Sequence, residues 1–198
     1  MPLLVLDPAM QREFHDRYER FTETWDGVDV MPPMPNNEHQ ELQTRLLFPF
    51  CAVVDDPRLG ATTAGVNISD LRAGWTKNYR GPDVAVYLDT NPAIDHGTHW
   101  EGGPDFLVEI ISDGEDPHAK FDFYAAVNTR EVLIVERDPW AVELFQLSGG
   151  TLVSAGRSNL ANGVAVPSGV LPLTFRLVAG TPRPRIEVTA TTGIQWLC

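Results

Sequence analysis

At 198 residues, with 43% hydrophobic side chains, the chain has the size and apolar content expected of one folded domain. Its formal net charge of -12 argues against a nonspecific phosphate-binding surface, because affinity for nucleic acid grows with the phosphates that Lys and Arg neutralise. It has no long apolar run and no basic-then-apolar leader, so neither a membrane span nor a signal peptide is expected and the expected compartment is cytoplasmic.

The two cysteines, Cys51 and Cys198, lie far apart, a pattern that suits free thiols rather than a disulfide framework or a zinc site. Charge is uneven: residues 1 to 138 hold 11 basic and 25 acidic residues, whereas 139 to 198 hold 4 and 2. Any anionic ligand must therefore meet a local patch. Arg72, Lys77 and Arg80, interleaved with Trp75 and Tyr79, form the best local candidate for nucleic-acid contact, since cations meet phosphates while rings stack on bases. The plainer reading of the same residues is the charged outer face of a strand pair.

In chain order, Asp7-Pro8 opens a predicted helix in which Met10, Phe14, Tyr18 and Phe21 recur at helical spacing. Trp25-Asp26-Gly27 marks a turn before Val28 to Met31, and a proline-rich connection runs from Met31 to Pro35. Asn36-Asn37 caps a second helix with an inward stripe of Leu42, Leu46 and Phe50. From Cys51 the pattern changes to short strand signals at Cys51 to Val54, Val66 to Leu71, Asp83 to Leu88 and Phe106 to Ile111. A helix from about Asp116 to Val127 and the very apolar Val132 to Val135 complete a βαβ unit with a parallel pair. Val142 to Leu147 and Thr151 to Ser154 read as a hairpin, and Thr174 to Val178 and Ile186 to Thr189 as further edge strands. The predicted fold class is α/β, a mixed central sheet flanked by helices.

Two carboxylates, Asp83 and Glu109, sit in or at the start of apolar strands, where an unpaired charge is costly to bury. Strand periodicity puts Asp83, Ala85 and Tyr87 on one face of their strand and Asp105, Leu107 and Glu109 on one face of the later strand, so the acids can converge if the strands are neighbours. Mg2+ or Mn2+ would accept one Asp, one Glu and a backbone carbonyl such as that of Ile110. Lys120, the one lysine after Lys77, would steady the charge that builds on phosphorus. Glu38, Asp105, Tyr124 and Glu131 are auxiliary candidates. Against them stand a solvated helix acid, a strand-entry cap and two core-edge residues. His39, His96, His99 and His118 lack zinc-ligand spacing, and surface histidines are the ordinary reading. No serine elbow or phosphate loop occurs.

The succession Pro82-Asp83-Val84, Gly103-Pro104-Asp105-Phe106-Leu107-Val108-Glu109-Ile110-Ile111-Ser112, Asp116-x-x-x-Lys120-x-x-x-Tyr124, Arg130 to Glu136 and Asp138-Pro139 resembles the Uma2 family of the PD-(D/E)XK nuclease superfamily. The likeness covers roughly residues 10 to 150. It implies a restriction-endonuclease-like core, with Asp83 and Glu109 as metal ligands and Lys120 as a catalytic lysine moved from strand to helix. Ile111 occupies the position where the E-x-K signature has lysine. The Ser112 to Lys120 stretch carries Asp113, Glu115 and Asp116 where members often have basic residues. The expected function is a Mg2+- or Mn2+-dependent endonuclease on nucleic acid, DNA ahead of RNA. The alternatives are an inactive nucleic-acid- or protein-binding module of the same fold and a small-molecule phosphodiesterase. A homodimer stays open as an assembly.

Overall fold

The computed structural model describes Leu4–Val5 and residues 22–198, so the helix expected from Asp7 to Phe21 lies outside the described residues. Helix α1, Asn37–Val53, starts where Asn36 Oδ1 accepts the His39 amide at 2.9 Å. Leu42, Leu46 and Phe50 are fully buried along it. Cys51 to Val54 was expected as a strand. It is instead the last turn and cap of α1, because the inward stripe continues one turn further, from Phe50 to the buried Val54.

The central sheet has six strands: β4 (Gly60–Ala64), β7 (Val84–Leu88), β10 (Phe106–Ile110), β11 (Glu131–Arg137), β12 (Trp140–Ser148) and β13 (Thr151–Asn159). Their order is β13-β12-β11-β10-β7-β4. β10 and β11 run parallel and every other pair is antiparallel, so the sheet is mixed, with the βαβ unit in its middle. Val132 to Val135 are buried on both faces. The β12–β13 hairpin turns on Gly149 and Gly150 alone, both at positive φ (59° and 83°), which favours glycine at both positions. Strand β4, a Gly-Ala-Thr-Thr-Ala run, carried too weak an apolar pattern to be expected.

A second sheet of short strands, in the order β1-β3-β2-β6-β5-β9-β8, gathers the amino-terminal half. It comprises β1 (Leu4–Val5), β2 (Glu23–Trp25), β3 (Val28–Met31), β5 (Ile68–Ser69), β6 (Tyr79–Arg80), β8 (Ile94–Asp95) and β9 (Trp100–Glu101). The carboxyl-terminal strands are not edges of the central sheet, as expected, but a third sheet: β14 (Val166–Pro167), β15 (Leu173–Val178), β16 (Arg185–Ala190) and β17 (Gln195–Leu197). Phe50 of α1, Phe106 of β10 and Phe175 of β15 meet with ring centroids 5.3 to 6.2 Å apart, locking α1 and the third sheet onto one face of the central sheet.

On the other face Leu107, Val132, Ile134 and Phe145 pack with Phe123 and Tyr124 of helix α2, Phe121–Ala126. This helix was expected to begin at Asp116. Asp116 Oδ1 instead accepts the His118 amide at 2.9 Å, and successive turns run from Asp116 to Phe121, so Pro117 and a side-chain turn replace the first helical turn. Lys120 becomes the N-cap residue of α2. The architecture is thus mixed α/β, and helices cover less of the central sheet than expected. No helix among the described residues is long and apolar enough to cross a membrane.

Candidate functional site

The antiparallel register of β7 and β10 pairs Val84 with Val108, so Asp83, one residue earlier, falls beside Glu109. The Asp83 amide donates to the Val108 carbonyl at 3.1 Å, and the Ile110 amide donates to Asp83 Oδ2 at 2.7 Å. The Asp83 carboxylate therefore lies against the end of β10, while its own carbonyl accepts from Gln43 Nε2 of α1 at 2.7 Å.

Lys120 reaches the same place from the start of α2. Its ammonium nitrogen lies 3.0 Å from Glu109 Oε1, 3.3 Å from Glu109 Oε2 and 2.8 Å from Glu23 Oε1. Tyr124, one turn along α2, donates its hydroxyl to Glu109 Oε1. Burial pushes Glu109 up to about 7; Lys120 opposes this, and the charges of Asp83 and Glu23 add to it. Burial also works against the charge on Lys120, but Glu109 and Glu23 outweigh it and hold the ammonium protonated, well above the usual lysine range. Tyr124 is likewise held protonated by burial and by the two neighbouring carboxylates.

Two residues of this site were not among the sequence candidates. Glu23, buried on β2, accepts the Gly81 amide at 2.9 Å and the Trp25 indole N–H at 2.7 Å in addition to Lys120. Nothing in the local Thr-Glu-Thr-Trp run distinguishes it. His39, also buried, has Nε2 at 3.3 Å from Asp83 Oδ2. Burial disfavours its charge, yet Asp83 raises its pKa above the ordinary histidine value. A signal did exist: His39, Leu42, Leu46 and Phe50 form one continuous helical stripe, so the histidine faces inward.

The remaining candidates have other partners. Asp105 is buried and accepts from the Leu88 amide, Asn91 Nδ2 and Arg130 Nη1, each at 2.8 Å, which makes it a strand-entry anchor. Glu131 accepts from Gln146 Nε2 and the Gly169 amide at 2.8 Å and from the Ser168 hydroxyl, so it holds the loop after β14 rather than Lys120. Glu38 faces Arg137 and Arg183 at 3.6 Å. Arg72 and Lys77 are exposed. Arg80 is buried, its guanidinium held between the Trp25 and Phe123 rings at 4.5 and 4.4 Å, so it presents no charge to the surface.

A cavity of about 430 Å³ opens beside Glu109 and Lys120. Trp25, Met31, Pro33 and Phe121 give it apolar walls, and Glu115 and Asp116 also line it. Among the described residues no group of three or more His, Cys, Asp or Glu side chains is placed to hold a metal ion. Both Glu109 oxygens already meet Lys120 or Tyr124, and Asp83 is the nearest other carboxylate on the neighbouring strand.

A six-stranded mixed sheet with two acids on neighbouring strands and a lysine from the following helix makes this a mixed α/β protein whose architecture is consistent with a nuclease-like fold. The fold is similar to that of a solved protein from Anabaena variabilis ATCC 29413, described as "a putative nuclease belonging to DUF820", at a TM-score of 0.60 and 16% identity, over 76% of this chain and 82% of that one. No curated protein matches the chain. The sequence profile of the Uma2 family, described as "Putative restriction endonuclease", matches residues 11–178. The chain belongs to the Uma2 family.

Proposed function

We propose that the protein is a metal-dependent nuclease that hydrolyses phosphodiester bonds with water. The observation that carries this reading is the convergence of Asp83, Glu109 and Lys120, with the Lys120 nitrogen 3.0 Å from Glu109. The family description and the solved nuclease-like relative support it.

The donor set fits Mg2+ or Mn2+. Both prefer oxygen ligands, and Mg2+ keeps several waters, so two carboxylates and a carbonyl suffice. Asp83 Oδ1 carries none of the bonds that occupy Oδ2. Asp83, Glu109 and the Ile110 carbonyl would hold the ion, which when bound polarises a phosphate and acidifies water. The chain's own residues do the rest. Lys120 presents a fixed positive charge where negative charge grows on the phosphate oxygens. Glu23 and Tyr124 hold Lys120 and Glu109 in place, and His39 steadies Asp83.

The cavity favours a second reading, a small-molecule phosphodiesterase. Apolar walls with acidic neighbours suit a compact ester better than a polyanion. The test is hydrolysis at low salt with Mn2+, using duplex DNA, RNA and bis(p-nitrophenyl) phosphate. Cleavage of nucleic acid that needs Mn2+ and is lost in Glu109→Gln and Lys120→Ala supports the nuclease. Hydrolysis of the small ester alone, lost in the same variants, replaces it with the second reading. No hydrolysis and no metal binding would leave a binding module of the same fold.

A further inference from the structure

We infer that Arg45, Arg137, Arg183 and Arg185, gathered at the start of α1, form a seat for the phosphodiester backbone of nucleic acid beside the Asp83–Glu109 site. The inference rests on the nuclease reading and names the surface that reading requires.

The four arginines share two acids. Glu41 Oε1 lies 2.7 Å from Arg45, 3.6 Å from Arg183 and 3.9 Å from Arg185, and Glu38 lies 3.6 Å from Arg137 and Arg183. Among the described residues, four guanidinium groups thus meet two carboxylates, which leaves a local excess of positive charge on a chain of net charge -12. Four of these five contacts are too long for hydrogen bonds, and Arg45 and Arg185 are the two side chains of the four that face solvent, whereas Arg137 and Arg183 are nearly enclosed. Arg183 supports the cluster from beneath: its side chain is 10% exposed, its Nη1 donates to the Pro184 carbonyl at 3.2 Å, and its guanidinium lies 5.6 Å from the Trp140 ring.

The cluster is also tied to the site. Arg137 donates from Nε to the Ile111 carbonyl at 3.1 Å and from Nη1 to Asn36 Oδ1 at 2.9 Å, joining the end of β10 to the cap of α1. His39, three residues beyond that cap, meets Asp83. Next to the cluster, Asn37, Gln40, Glu41, Thr44, Arg45 and Phe48 line an open depression of about 550 Å³ along α1. From Asn37 to Arg45 the helix axis runs about 12 Å at 1.5 Å per residue. That is room for roughly three phosphates of one strand. Glu115 and Asp116, which line the cavity at Glu109 and Lys120, repel a polyanion there.

The test is fluorescence anisotropy of a labelled DNA duplex with chelator present, over a range of salt. In Arg45→Ala/Arg185→Ala, affinity should fall alike for every sequence, and the slope of log K against log salt should drop by about 1 per arginine. Arg72→Ala/Lys77→Ala should bind like the parent. Hydrolysis of bis(p-nitrophenyl) phosphate with Mn2+ should be unchanged in both. An unchanged slope in the first variant, a loss in the second instead, or no duplex binding by the parent at low salt overturns the inference. The nuclease reading is judged separately: loss of it requires that Glu109→Gln leave nucleic-acid cleavage intact or that the parent show none.

Discussion

His39 Nε2 stands 3.3 Å from Asp83 Oδ2, the same oxygen that accepts the Ile110 amide, so the acid at the start of β7 is fixed from α1 and from β10 together. Groups that orient a ligating side chain typically carry about 10–100-fold of metal affinity or activity. His39→Ala should therefore weaken Mn2+ binding by a factor in that range while circular dichroism stays native. Calorimetry that finds the parent's affinity would remove His39 from the site.

Asp83→Ala combined with Glu109→Ala should abolish the Mn2+ and Mg2+ binding proposed for the parent, because both carboxylates are then gone. Binding that survives in calorimetry would mean the ligands lie elsewhere.

Lys120→Met leaves Glu23 and Glu109 buried and facing one another with no cation between them. Removing one partner of a buried ion pair costs about 3–5 kcal/mol. The loss should be larger at pH 8 than at pH 5, since Glu109, whose pKa is pushed up to about 7, is protonated in the acid range and relieves the repulsion. Urea unfolding at the two pH values measures this. Equal losses at both would contradict the geometry.

The pH dependence of Glu109 has a definite sign. Its folded pKa of about 7 exceeds the ordinary 4.5, so between these values the folded chain holds a proton that the unfolded chain has released. Its contribution to stability is full below 4.5 and is lost as pH rises to about 7. Glu109→Gln, neutral throughout, should flatten that part of the stability curve when unfolding is followed in chelator. A curve that keeps the parent's slope over this window would show that Glu109 does not titrate there.

The central strands were legible because Val84 to Leu88, Phe106 to Ile110 and Val132 to Val135 are apolar runs buried in a sheet, and the βαβ unit pairs the last two, whereas the place of Val84 to Leu88 beside Phe106 to Ile110 came from the structure. Lys120 beside Glu109 was also within reach, since both lie in that unit. Most of the rest depends on contacts between residues distant in sequence, and one part on a local turn. Glu23 comes from a separate sheet and an unremarkable strand. The start of α2 was lost to a side-chain turn at Asp116, and Arg80 was read as exposed although Trp25 and Phe123, distant in sequence, enclose it. The carboxyl-terminal arginines were visible only as a change of net charge along the chain.

Glu23 and Glu109 belong to sheets that share no strand ladder, and the ammonium group of Lys120 touches both. The lysine is thus a clasp across a seam. Lifting the β2–β3 hairpin off the central sheet strips one carboxylate from it and unhooks the Gly81 amide just ahead of Asp83. Docking of the hairpin and completion of the Lys120 ion pairs then coincide, and a molecule opened at this seam would hold its lysine by one acid instead of two.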